Sequence, residues 1–181
     1  MQKKAQFWYA DFLIAILILV AVSFLFIKNI TDLNSKQDKL QSITNDAIAI
    51  SSFLMSEGYC PTNDCLNDWG DPFNKDGRIG FVKEGRIIKD NLDGLIGLVI
   101  NGNGYQTSKI LLGTKNNYIF YFRNQNDIEP VGYVDFYGYY PKINNLEEIT
   151  AETFVTITRF VYFDADGDNK GEIIKLIIVV W

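Results

Sequence analysis

A chain of 181 residues without a single histidine lacks the commonest general base and transition-metal ligand. It also lacks the usual partner of a Ser or Cys nucleophile, so no catalytic residues and no enzymatic activity are expected. Its net charge of −5 becomes −7 once Lys3 and Lys4 are set aside, 15 basic against 22 acidic residues, and such a surface repels nucleic acid.

Met1 to Ala5 is a short basic leader ending in a small residue. Phe7 to Ile27 follows, twenty-one residues that carry one charge, Asp11. At about 1.5 Å per residue this run reaches about 30 Å, the hydrocarbon thickness of a bilayer. A secretory signal places its small-residue cleavage site after the apolar stretch, and the residues after Ile27, KNITDLNSK, offer none. Cleavage is therefore expected before the run, between Ala5 and Gln6. Lys3 and Lys4 orient the helix so that the bulk of the chain lies outside the cytoplasm. Asp11 has two readings. It is an interfacial carboxylate favoured by the helix dipole, or a charge that pairs with the free N-terminal ammonium of a neighbouring copy, since facing lipid at depth costs ~2.5 kcal/mol or more.

From Lys28 the pattern becomes that of a soluble amphipathic helix running to about Glu57. Leu33, Leu40, Ala47 and Leu54 repeat every seven residues, with Ile43 and Ile50 between them on one stripe. No Gly or Pro interrupts residues 6–57, which predicts one rod of about 75 Å; Gly58 is the expected C-cap. Asn29-Ile30-Thr31 is a glycosylation sequon just outside the span. Cys60 and Cys65, the only cysteines, enclose a Pro61- and Asn63-containing turn that can bring the sulfurs together. They read as a local disulfide worth roughly 2 kcal/mol, the alternative being two free thiols; their spacing excludes a CxxC redox motif.

The N-terminal residues Lys3, Lys4, Ala5 and Gln6, directly before an apolar helix with an acidic residue near its start, resemble archaeal type IV pilin-like proteins with a class III signal peptide. The resemblance covers about the first thirty residues. Asp11 is the sixth residue counted from Gln6, where the commonest pattern has the fifth, and Ala5 replaces the more usual Gly. It implies processing by a prepilin peptidase between Ala5 and Gln6 and an assembly role for Asp11. It further implies a homo-oligomeric helical filament built through the apolar helices, with a β-rich head facing out.

The head, residues 58–181, opens with a loop rich in Asn, Asp, Gly and Pro at 61–77. Arg78 to Lys83 alternates as a short strand turned by Glu84-Gly85. Asp90 to Val99 and Tyr105 to Leu112 are spaced as helices, the second ended by Gly113, with a turn at Asn101 to Gly104 between them. Four strands are expected at 117–123, 131–139, 153–163 and 172–181. Short links make the sheet antiparallel, and the Leu33–Leu54 stripe is its expected apolar cover. Tyr133, Phe136, Tyr137, Tyr139 and Tyr140 are most economically sheet-face packing, with a sugar-binding platform as the alternative.

Asp164, Asp166 and Asp168 alternate at the start of a nine-residue loop that also holds Lys170 and Glu172. Alternate acids on a curled backbone converge on one Ca²⁺, with the Lys170 carbonyl and the Glu172 carboxylate completing the set. The Glu stands at the ninth position and strands flank the loop, so this is not an EF-hand. The bland alternative is a hairpin turn made soluble by acid.

The chain is therefore expected to be α+β, a long hydrophobic-then-amphipathic helix packed on a mostly antiparallel sheet. The expected function is a structural subunit of an extracellular filament that mediates surface attachment and rests in the membrane before assembly. The alternative is a monomeric signal-anchored surface protein with a calcium-stabilised, ligand-binding β domain.

Overall fold

Because no helix breaker precedes Gly58, a single helix, α1 (Lys3–Leu54, 52 residues), carries the chain from its start into the head. A computed structural model describes residues 3–60, 65–70, 77–100, 102–124, 137–138, 146–164 and 171–181. The chain divides into two units, residues 1–41 and 42–181. Within the second unit Ile43, Ala47, Ile50 and Leu54 of α1 are fully buried, one turn after another along one face. The buried stripe is shorter than the heptad pattern predicts: Leu33 and Leu40 are 67% and 46% exposed. An apolar residue is buried only where a second layer stands opposite it, and for α1 that layer begins at Ile43.

The end of α1 solves its own polar problem. The last carbonyls of a helix lack intrahelical partners, and here the incoming chain supplies donors. Phe81 N–H donates to Leu54 O at 3.2 Å and Val82 N–H to Ser56 O at 2.9 Å. Asn91 Nδ2 donates to both Glu57 O (2.7 Å) and Gly80 O (3.0 Å), clamping the two segments. The approach is close enough to require glycine on both sides: Gly58 has φ +68°, and a Cβ on Gly80 would fall 2.5 Å from Ser56 O and 2.8 Å from Gly58 N. Gly58 was expected as a helix cap. α1 ends at Leu54 instead, and what demands glycine at 58 is this backbone crossing together with its positive φ.

After the crossing, β1 (Val82–Lys83) and β2 (Arg86–Ile87) form a two-residue hairpin with Glu84 and Gly85 both at positive φ, 51° and 79°. Before it, α2 (Cys65–Gly70) stands where a loop was expected. Six residues carry no readable periodicity, but Trp69 is wholly buried and its Nε1 donates to Tyr59 O at 3.2 Å, which holds the turn in place. Helices α3 (Lys89–Val99) and α4 (Gly102–Leu111) match the two predicted ones, although α4 starts inside the expected Asn101–Gly104 turn. α4 ends in a Schellman motif on Gly113 (φ +68°), with Thr114 N–H bonded to Lys109 O and Gly113 N–H to Ile110 O.

The sheet adds β3 (Tyr118–Arg123), β4 (Tyr137–Gly138), β5 (Val155–Phe163) and β6 (Glu172–Val180). Its order is β1-β2-β5-β6-β3-β4, antiparallel except for the β2–β5 contact at Arg86↔Tyr162. The antiparallel pairing expected from short links holds for β5 and β6, and the last strand lies between β5 and β3. β6 (EIIKLIIVV) is apolar on both faces and therefore belongs in the interior of the sheet, whereas Thr156 and Thr158 of β5 are exposed. On the inner face Tyr118, Phe120, Phe122, Ile174, Leu176, Ile178 and Val180 join the α1 stripe and the helices in one core. The outer face has a smaller cluster of Ile119, Tyr121 and Val179, edged by Ile149, Ile177 and Trp181.

Two polar links fasten helices to sheet and loop. Arg159 Nε donates to the buried Ser51 Oγ at 2.7 Å, and Thr114 and Asn116 both donate to Asp46 Oδ2, at 2.5 and 2.9 Å. A third, wholly internal, joins α4 to β3: Ser108 Oγ and Tyr118 Oη lie 2.6 Å apart. Burial pushes the Tyr118 hydroxyl well above the ordinary phenol range, so it stays a neutral hydrogen-bonding group.

Candidate functional site

The surface with the most to account for is α1 itself. Every residue from Asp11 to Ser42 is exposed, including Phe12, Leu17, Leu19, Phe24, Leu25 and Phe26. Exposed apolar patches on a water-soluble surface seldom exceed a few hundred Å², and this helix is long and apolar enough to cross a membrane. Its polar side chains fit such surroundings. Ser23 Oγ donates to Leu19 O at 2.8 Å and Thr31 Oγ1 to Ile27 O at 2.9 Å, so these hydroxyls are satisfied by the helix's own carbonyls and require no water.

Ala5 and Gln6 are helical, near the start of α1. Asp11 is exposed on the helix and has no partner among the described residues. Asn29 is also exposed on regular helix, and the hydroxyl of its sequon residue Thr31 is turned to Ile27 O.

The disulfide is formed. Cys60 and Cys65 are bonded with their Cα atoms 5.0 Å apart, and Cys65 is the first residue of α2, so the bridge pins the helix carrying Trp69 to the chain leaving α1. A disulfide is compatible with an oxidising, extracellular setting.

The acidic stretch connects β5 to β6, with Phe163 opposite Glu172 as the last pair of their ladder. Gly171 N–H donates to the Tyr162 hydroxyl at 2.8 Å, and the Arg86 guanidinium lies 5.1 Å above the Tyr162 ring, which fixes this end of the ladder. Asp164 is half-buried at one end and Glu172 exposed at the other; Asp166, Asp168 and Lys170 lie outside the described residues. Of the aromatic group at 133–140, Tyr137 is buried against Phe120 with ring centroids 5.5 Å apart, which is core packing. Tyr133, Phe136, Tyr139 and Tyr140 lie outside the described residues.

Sequence reasoning missed an open cleft of about 490 Å³ lined by Ala49, Ser52, Phe53, Ser56, Glu57, Gly58 and Arg78. Its sequence signal is the run of small residues on the side of α1 away from the buried stripe. No protein-family model, curated protein or solved structure matches this chain.

Proposed function

We propose that the chain is a structural subunit of an extracellular filament of the archaeal type IV pilus kind, which polymerises through its N-terminal apolar helix and serves surface attachment. The observation that carries the reading is an unbroken helix whose apolar surface is exposed from Phe12 to Ile27 and whose last turns are built into the core of a separate unit. Such a surface needs lipid or copies of itself around it, and a subunit of this kind meets each in turn. In the bilayer the helix is surrounded by acyl chains; in the filament it exchanges them for neighbouring helices, where packing replaces lipid contact at little cost. The Lys3-Lys4-Ala5-Gln6 segment supports removal of the leader by a prepilin peptidase. The new ammonium at Gln6 would then stand about a turn and a half from Asp11, a pairing available between subunits.

N-terminal sequencing of the mature protein and electron microscopy of sheared cell-surface material test the proposal together. A mature terminus at Gln6 and filaments containing the chain are expected. An intact Met1 in detergent-soluble monomers would sink it and leave the signal-anchored monomer in its place.

The proposal extends to one Ca²⁺ between β5 and β6, held by Asp164, Asp166, Asp168, the Lys170 carbonyl and Glu172. It rests on the alternating acids and on the repulsion a cation would relieve. Calcium is expected to raise the thermal midpoint of the full-length chain in detergent, and Asp166→Ala to abolish the rise. Superimposable melting curves in calcium and in chelator remove the ion from the reading.

A further inference from the structure

The exposure of Leu33 and Leu40 leaves a helix face unaccounted for outside the bilayer-length run. Phe26, Ile30, Leu33, Gln37 and Leu40 follow one another at intervals of four, three, four and three residues, the spacing of a coiled-coil seam with Ile30 and Gln37 at a positions and Phe26, Leu33 and Leu40 at d. All five are exposed. The same alternation continues through Thr44, Ala47, Ser51 and Leu54, and there Ala47, Ser51 and Leu54 are buried within the head. One seam thus has a covered half and an open half.

We propose that the open half, Phe26 to Leu40, binds the same segment of a second copy of this chain as a parallel, in-register two-helix contact. The inference rests on the membrane-anchored placement in the proposed function, because copies that share one orientation in a bilayer can meet only in parallel.

Charge and chemistry select a copy of the chain as the occupant. Lys28, Asp32, Asp38 and Lys39 fall at b, c and f positions, away from the seam. The flanking e and g positions are Ile27, Asn29, Asn34, Lys36 and Gln41. In a parallel in-register pair a g residue faces the e residue of the following heptad, so Asn29 meets Asn34 and Lys36 meets Gln41, and no like charges are opposed. Gln37 sits across the axis from Gln37 of the other copy. Its amide is both donor and acceptor, so the two satisfy each other in register and are stranded by a slip. A β-branched residue at a with leucine at d favours two strands over three or four. Two heptads are too short to associate from dilute solution, but anchoring in one membrane raises the effective concentration of each copy for the other.

The test is disulfide trapping of the full-length chain in membrane vesicles. Both native cysteines are consumed by the Cys60–Cys65 bridge, so a single introduced thiol reports alone. Under mild copper oxidation Gln37→Cys is expected to give at least tenfold more dimer than Ser35→Cys, whose position faces away from the seam. In a Leu33→Cys background, adding Gln37→Lys is expected to cut the dimer yield about tenfold. Equal yields at 37 and 35, no dimer at 37, or no effect of Gln37→Lys would each overturn the seam. The two readings fail separately. Sheared filaments without preferential trapping at 37 sink the seam and leave the filament, whereas strong trapping at 37 with no filament sinks the filament and leaves the seam.

Discussion

Gly80→Ala is expected to lower the thermal midpoint of the full-length chain by about 10 °C, corresponding to ~3 kcal/mol. A single methyl group has this effect because of what it meets. The added Cβ would lie 2.5 Å from Ser56 O and 2.8 Å from Gly58 N, both backbone atoms that cannot rotate aside. Relief requires the two segments to separate, which stretches the bonds from Phe81 N–H to Leu54 O and from Val82 N–H to Ser56 O and pulls Gly80 O from the Asn91 amide. Buried polar groups left without partners cost ~1–3 kcal/mol each. Gly113→Ala is the comparison: its φ is positive, +68°, but nothing lies within 4 Å of the new Cβ. It should cost ~1 kcal/mol, the left-handed penalty alone. A Gly80→Ala midpoint equal to or above that of Gly113→Ala would show that the crossing is not as tight as described.

Leu17→Arg combined with Val20→Arg is expected to release the chain from membranes. Both side chains are exposed near the middle of the apolar run, and arginine at the centre of a spanning helix costs about 2.5–3.5 kcal/mol each by insertion scales, about 6 together. The measurement is alkaline carbonate extraction of membranes. The wild-type chain should stay in the pellet and the double variant should move to the supernatant or to aggregates. The head should remain folded, as read by its resistance to proteolysis, because its core is drawn from Ile43 onward. A double variant that still resists extraction would mean that residues 7–27 do not hold the protein in the bilayer. Filament assembly should be lost in parallel, since the same side chains serve the proposed subunit contacts.

Local chemistry made much of this legible. Absence of Gly and Pro predicted the continuous α1, and Glu84-Gly85 predicted the tight hairpin. Gly113 predicted the end of α4, and the short Cys60–Cys65 spacing predicted the bridge. Each of these depends on residues within a few positions of one another, where propensity and loop length decide the outcome. The misses share a different cause. α2 was read as loop because six residues have no period, and what holds them helical is the burial of Trp69 and the bond to Tyr59, contacts made after folding. The strand order was not legible either: β6 comes last in the chain, yet its apolar residues on both faces put it between β5 and β3. The candidate calcium ligands were legible only as a spacing; the structure adds the β5–β6 pairing that flanks them in the chain, with Phe163↔Glu172 as its last pair and a bond from Gly171 N–H to the Tyr162 hydroxyl.

The sequence by itself determined that this protein has an apolar helix long enough to span a bilayer, continuous with a polar helix, followed by an α+β domain with two closely spaced cysteines and without histidine chemistry. Those properties follow from composition, period and nearest neighbours. Only the tertiary structure decided how far the heptad stripe is used. Leu33, Leu40, Ala47 and Leu54 are indistinguishable as a repeat, yet the first two are exposed and the last two buried. Burial depends on what stands across from a residue. Ala47 and Leu54 share one core with the sheet, delivered by strands more than sixty residues away; Leu33 and Leu40 meet no such layer among the described residues.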